Sequence, residues 1–466
     1  MISAIVDERG DRGLRRELGV WDAIAVVVGA IVGVGIFFTP SRVVTLAGSG
    51  GGAMTAWVLG GIAAMSGALT FAALGMKFPR NGGQYVALRE AYGPGLGFVY
   101  VVCNATAIQG GAIALIALVC VHNTAEALAM PGLSPMAAGA GAGAFIVSLC
   151  AANILGVRWG KRIQNATAIA KVCTLLVIVA VASIFSERTA AEVFAVTSEA
   201  DRGWVQGVVA ALVPVMFTFG GWQQVLWLGG EVKEPSKTLP RSVIVGVAAV
   251  VVIYILVNGA YLAMLGPARV SASAALAAEA VGEVVGDVGG RMVAAGVAVS
   301  AFGVLNAQLL SGPRLVLALA RDGNFFARFG RLHPRFATPA WAIALLGGVA
   351  GFILLAAGES GISAIDQILT GVVLVDGLFF ALTGLAVPVL HARAKRRGED
   401  VSWGMTGLVA ALMFVAVEVG VVIGAWLDPQ VRAASLVGLA WIVAAVTLYV
   451  LRFKRPRPSE DARLSS

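Results

Sequence analysis

Gly29-Ala30-Ile31-Val32-Gly33-Val34-Gly35-Ile36-Phe37 lies inside an apolar run from Trp21 to Leu46 that is long enough to cross a bilayer. A spanning helix needs about 20 apolar residues. In lipid every backbone N–H and C=O must find its partner within the protein, so unwound main chain is tolerated only where it lines a cavity. Gly33 and Gly35 interrupt this run near its middle. They mark a place where something other than lipid is expected to meet the backbone.

Composition supports the membrane reading. The 466 residues are 58% hydrophobic and only 13% charged, against roughly a quarter charged in soluble domains. In a soluble chain a net charge of +8 would point to nucleic acid. Here the basic residues read as topology signals, and nucleic acid is not expected as a partner. Cys103, Cys120, Cys150 and Cys173 fall in apolar runs without metal-type spacing, and His122, His333 and His391 are scattered. No metal, cofactor or disulfide framework is expected. The charged start of the chain and the length of its first apolar run also argue against a cleavable leader.

About twelve spans can be counted at this length requirement. The first is Trp21–Leu46 and the sixth Val205–Gly229. The organisation expected is a cytoplasmic segment 1–18, a core 19–390 made of two halves (about 19–185 and 205–390), two further spans in 391–451 and a tail 452–466, disordered for its charge and proline. Arginine and lysine concentrate on one side of this topology, in Arg9 to Arg16, Lys77 to Arg89, Arg158 to Arg162, Lys233 to Arg241, Arg321 to Arg335, Arg393 to Arg397 and the tail. The opposite side holds Arg42, Arg188, Arg202, Arg269, Arg291 and Arg432. By the positive-inside rule both termini are cytoplasmic, in a multi-pass protein of the cell membrane. Ser271 to Gly290 reads as an external helical cap or, alternatively, a plain loop.

The sixth span repeats the anomaly of the first, with Gly220 and Gly221 near its middle. Interrupted segments at matched positions of oppositely oriented halves point to a secondary transporter with a site at the membrane midplane. The N–H groups that open the second half of a broken helix carry about half a positive charge and suit a carboxylate. Carbonyls at the opposite end suit an ammonium. The alternative is that these glycines only let helices pack closely.

These stretches also carry a family resemblance. Gly29 to Phe37 resembles the first-helix signature of the amino acid–polyamine–organocation transporters. Further motifs follow in that family's order: Phe78-Pro79-Arg80-Asn81-Gly82-Gly83-Gln84-Tyr85, Phe217-Thr218-Phe219-Gly220-Gly221-Trp222 with Gly230-Glu231-Val232-Lys233-Glu234-Pro235, Ser311-Gly312-Pro313-Arg314, and His333-Pro334-Arg335-Phe336. The resemblance implies a LeuT-like fold, all-α and membrane-integral, with a 5+5 inverted repeat plus two C-terminal helices. It implies that Val34, Gly35 and Ile36 offer amides to a substrate carboxylate. Phe217, Phe219 and Gly220 would offer carbonyls to the amino group, with an aromatic lid. Many relatives have a serine where this chain has Val34, so a hydroxyl contact is lost there. In sodium-independent relatives a lysine of the fifth helix takes the place of a sodium ion, and Lys171 matches that position.

Lys171 also stands out without the resemblance, because a charge at mid-membrane costs about 2.5–3.5 kcal/mol and marks a functional candidate. The alternative is snorkelling to the cytoplasmic face. Asp376, in the tenth span, would meet the substrate, carry coupling or join helices. Glu231 and Arg314 are expected by family analogy in an inner-gate network. Gln223 and Asn306 are weaker pocket candidates, and Glu418 has no assigned role.

The function expected is sodium-independent secondary transport of amino acids by alternating access, as proton symport or exchange. Val34, Phe217, Phe219 and Trp222 favour neutral side chains. The expected partners are therefore an amino acid, protons and membrane lipid. A polyamine or other organic-cation carrier is the alternative within the family. A channel or an intramembrane enzyme is disfavoured, since no cluster of catalytic groups is visible.

Overall fold

The computed structural model describes residues 13–130, 132–197, 203–273, 275–358, 361–398, 403–427 and 429–454. Most of the tail and the first twelve residues, whose character was expected above, lie outside them. Among the described residues there is no strand beyond isolated bridges, such as Leu18 with Val232 and Asn81 with Leu228. Among the described residues eleven helices are long and apolar enough to span a membrane, or twelve when the bent pair at the N-terminus counts as one span.

That pair is α1 (Val20–Ile31) and α2 (Gly35–Ala47), which meet at 46°. After it come α3 (Gly50–Lys77), α4 (Gly83–Tyr92), α5 (Pro94–Cys103) and α6 (Gln109–Ala127), the last two joined by a π-helical turn at Asn104–Ile108. Next come α7 (Pro135–Ile154), α8 (Val157–Phe185) and the short α9 (Ala190–Val193). A further interrupted span follows, α10 (Trp204–Phe219) and α11 (Gln224–Trp227). Then follow α12 (Pro235–Ala272), α13 (Leu276–Val285), α14 (Asp287–Ser311), α15 (Pro313–Arg321), α16 (Ala340–Ala357), α17 (Gly361–Arg396), α18 (Gly404–Leu427) and α19 (Pro429–Leu448).

Several helices outrun the apolar stretches that betray them, because their amphipathic ends continue past the membrane core. α12 extends over 38 residues with a kink at Gly266, whose φ is +74°. Pro267 beside it has no N–H to give to the ladder. Two short helices were not separable by hydropathy. α4 lies in the motif-bearing connection after α3, and α13 makes Leu276–Val285 helical within the stretch Ser271–Gly290, which reads in the sequence as a helical cap or a plain loop. Arg269 clasps Glu279 and Glu283 of α13. The Glu279 carboxyl is held below its ordinary range by the Ser273 hydroxyl and by Arg269.

Without a hydrophobic drive between helices in lipid, small residues permit close approach. A Cβ on Gly67 of α3 would lie 2.8 Å from Phe414 and 2.9 Å from Trp222. α14 runs through the centre, against α1, α6, α7, α8 and α13. α18 and α19 pack on α17 and present Leu412, Ile423, Leu436 and Val443 outward. Cys103 and Cys120 are buried and Cys173 is exposed, all as free thiols, in keeping with small apolar packing residues.

Candidate functional site: a cavity between two helix breaks

In an unbroken helix the Gly33 N–H would donate to the Gly29 carbonyl. It donates instead to the Ile31 carbonyl at 2.7 Å. The Gly29 oxygen is thereby set free, and buried backbone acceptors need partners. Lys171 Nζ, from α8, donates to it at 2.6 Å. Tyr254 of α12 donates to the Ile31 carbonyl at 3.0 Å, and Ser300 of α14 to that of Val32 at 3.2 Å. Three helices thus hold the carbonyl side of the break. On its other side Val34, Gly35 and Ile36 open α2, where no carbonyl one turn back is available to their N–H groups.

The glycines of this break have room. A Cβ on Gly33 would come no nearer than 3.5 Å to a neighbour, and one on Gly35 no nearer than 3.4 Å. Close helix packing does not account for them.

The second break is built differently. α10 ends at Phe219, the Gly220 N–H donates to the Phe217 carbonyl at 3.1 Å, and the Gly221 N–H donates to its own neighbour's side chain, Gln223 Oε1, at 3.1 Å. Gly221 has φ +122°, and a Cβ there would lie 2.7 Å from the Ala30 carbonyl oxygen. The main chains of the two breaks therefore touch. Helix ends of opposite polarity are brought to one place.

A cavity of about 270 Å³ opens beside this contact. Of the residues expected at the site, Gly33, Val34, Gly35, Phe217, Gly220, Gln223 and Asp376 line it. Trp222 lies beneath, packed edge-on against Phe71 and Phe414. Ile36 and Phe219 are fully buried and do not line it; Phe219 packs against Trp57 and Tyr254. Asn306 lies away from it. Its amide donates to the Gly160 carbonyl and to Gln164, and accepts from Asn153, which ties α14 to α7 and α8. Lys171 serves the break from behind and is not part of the wall.

Other lining residues escaped selection in the sequence. Gln109 and Gln308 were visible as polar residues in apolar runs, but nothing distinguished them from Asn306. Both line the cavity with a side-chain oxygen that finds no partner. Glu418, on α18, lines it as well.

On the side of the cavity where the N-terminal segment lies, Arg314 and Glu231 are both fully buried and joined at 2.9 and 3.0 Å from one guanidinium nitrogen, with a third bond at 3.2 Å. The Glu231 carbonyl also accepts from the N–H groups of Glu17 and Leu18. Asn81 accepts from the Gly230 N–H at 2.7 Å. These bonds lace the end of the second broken helix to the N-terminal segment and α15. Removing one partner of such a buried pair costs about 3–5 kcal/mol. Alongside, Tyr85 donates to Asp322, which Arg89 also grips. Among the described residues no group of metal-type ligands occurs.

Comparison with known proteins places this architecture. Residues 18–451 match the family model described as amino acid permease. The chain is 31% identical over 399 residues to the serine/threonine exchanger SteT of Bacillus subtilis, covering 83% of this chain and 85% of that one. It is 27% identical over 453 residues to the human large neutral amino acids transporter small subunit 2, covering 95% and 81%. With the mouse b(0,+)-type amino acid transporter 1 it shares 28% over 384 residues, covering 82% and 77%. The helix breaks and the motifs around them fall within the matched residues, and the chain belongs to the amino acid permease family.

Proposed function

We propose that this permease is a sodium-independent secondary carrier of neutral amino acids, working by alternating access in the cell membrane with both termini cytoplasmic. The observation that carries the reading is the pairing of the two breaks across one cavity. Unpaired amides at Val34 and Gly35 suit the substrate carboxylate, and the end of α10 at Phe217 and Gly220 suits its ammonium. Phe217 is 64% exposed although it lines the cavity, which fits an aromatic lid. Glu231 and Arg314 act as the inner gate.

Sodium independence rests on Lys171. Its ammonium already occupies the carbonyl that the break sets free, so a bound cation has no vacant acceptor there. Either proton symport or exchange of one amino acid for another is compatible with that arrangement. Two inverted halves, about 19–185 and 205–390, supply one broken helix each. The related carriers named above act on amino acids, and the polyamine alternative is set aside. The neutral preference follows the apolar wall of Val34, Met216, Phe217 and Trp222.

The test is uptake of labelled serine and leucine into proteoliposomes with choline replacing sodium. Uptake should persist and saturate. Transport abolished by the replacement would sink the sodium-independent reading.

A further inference from the structure

Among the described residues of the cavity wall two have ionisable side chains, and both are acidic: Asp376 on α17 and Glu418 on α18. Glu418 is only 4% exposed, and among the described residues no hydrogen bond or ion pair reaches it. Gly377, next to Asp376 in the chain, also lines the cavity, beside Glu418. A Cβ there would lie 3.7 Å from Glu418 Oε2.

A carboxylate at membrane depth is costly unless paired, and such residues normally face a partner or a pathway. Among the described residues no lysine, arginine or histidine lines the cavity, and Lys171, buried behind the first break, is committed to the Gly29 carbonyl. A buried acid of this kind either takes up a proton or is met by a positive charge, and with no basic side chain in the described wall that charge would arrive with what the cavity holds. Gln109 and Gln308 add oxygens without donors to the same cavity. A cavity offering acceptors and negative charge fits a group that is all donor, which describes an ammonium or a guanidinium.

We propose that Asp376 and Glu418 form a cation subsite for the side chain of a dibasic amino acid whose carboxylate rests on the first helix break. This rests on the carrier reading above, and it widens the substrate range from neutral to positively charged side chains. Charge-assisted bonds to a guanidinium are the stronger class of hydrogen bond, so discrimination should be large.

L-arginine and L-citrulline separate the charge from the shape, because citrulline has the same length and a neutral end. Binding of arginine, citrulline and leucine to the purified protein would be followed by titration calorimetry. Arginine should bind about tenfold more tightly than citrulline, a difference typical of one charged contact. Glu418→Gln should bring the two to within about twofold of each other, and Glu418→Asp should restore part of the preference. The wild-type comparison stands alone if either variant fails to fold. Equal affinity for arginine and citrulline in the wild type, with leucine bound, would overturn the subsite and leave the carrier reading intact. So would an arginine preference that survives in folded Glu418→Gln. Failure of all three amino acids to bind would remove the carrier reading, and the subsite with it.

Discussion

At the first helix break a Cβ added to Gly33 or Gly35 would meet nothing closer than 3.4 Å, whereas at the second one added to Gly221 would lie 2.7 Å from the Ala30 carbonyl oxygen. The freed carbonyls follow the same division. Those of the first break are held by side chains from α8, α12 and α14, while the second closes its loose ends within its own few residues. The two breaks therefore use glycine for opposite reasons. In the first, glycine keeps the backbone accessible while neighbouring helices fix its position. In the second, glycine lets one main chain lie against another, and few outside bonds hold that segment in place. Such a pairing gives an amide end held by neighbouring helices and a second end held by its own residues and by its contact with Ala30.

The comparison breaks most readily at the point of contact. Gly221→Ala must force a side chain into left-handed backbone and against the Ala30 carbonyl at once. Overpacking of this kind costs about 1–3 kcal/mol before strain is added. A marked fall in the unfolding midpoint in detergent is expected, with loss of substrate binding. A variant that melts like the wild type would show that the two main chains are not pressed together.

Lys171→Met comes next. It leaves the Gly29 carbonyl buried without a donor, which costs about 1–3 kcal/mol. Removing a buried ammonium returns part of that, so a smaller drop in midpoint than for Gly221→Ala is expected. Substrate affinity should fall further than stability does, because the loosened break presents its amides poorly. Binding unchanged in this variant would mean that the first break is positioned without the lysine.

Most of this contrast could be read in the sequence only at its starting points. Gly33 and Gly35, Gly220 and Gly221, and Lys171 announce themselves because they interrupt apolar runs that tolerate little else. Their partners do not. The Gly221–Ala30 contact joins residues 191 positions apart, and no local pattern encodes it. Glu418 was visible as an acid in an apolar span. Which way it faces depends on how α18 is rotated, and that is set by Phe414 against Gly67 and Val415 against Gly384. Asn306 misled for the same reason, since its amide is occupied by Gly160, Gln164 and Asn153 on distant helices. Helix α4 was obscured because ten residues between glycines carry too weak a periodicity to separate from a turn.

The smallest effect on stability, and the sharpest on function, belongs to Gly35. A Cβ there meets Thr218 at ordinary contact distance, and the position opens α2, where side chains are better tolerated than glycine. Gly35→Leu should therefore shift the unfolding free energy by no more than about 0.5 kcal/mol, the usual range for a site without a special constraint. Its longer side chain, beside Thr218 and Phe217 at the cavity wall, would cover the amides offered to the carboxylate. Amino acid binding should disappear from a protein that still folds and inserts. Stability lost together with binding would make Gly35 a packing glycine like Gly221. Affinity retained would place the carboxylate elsewhere, leaving the second break to hold the substrate alone.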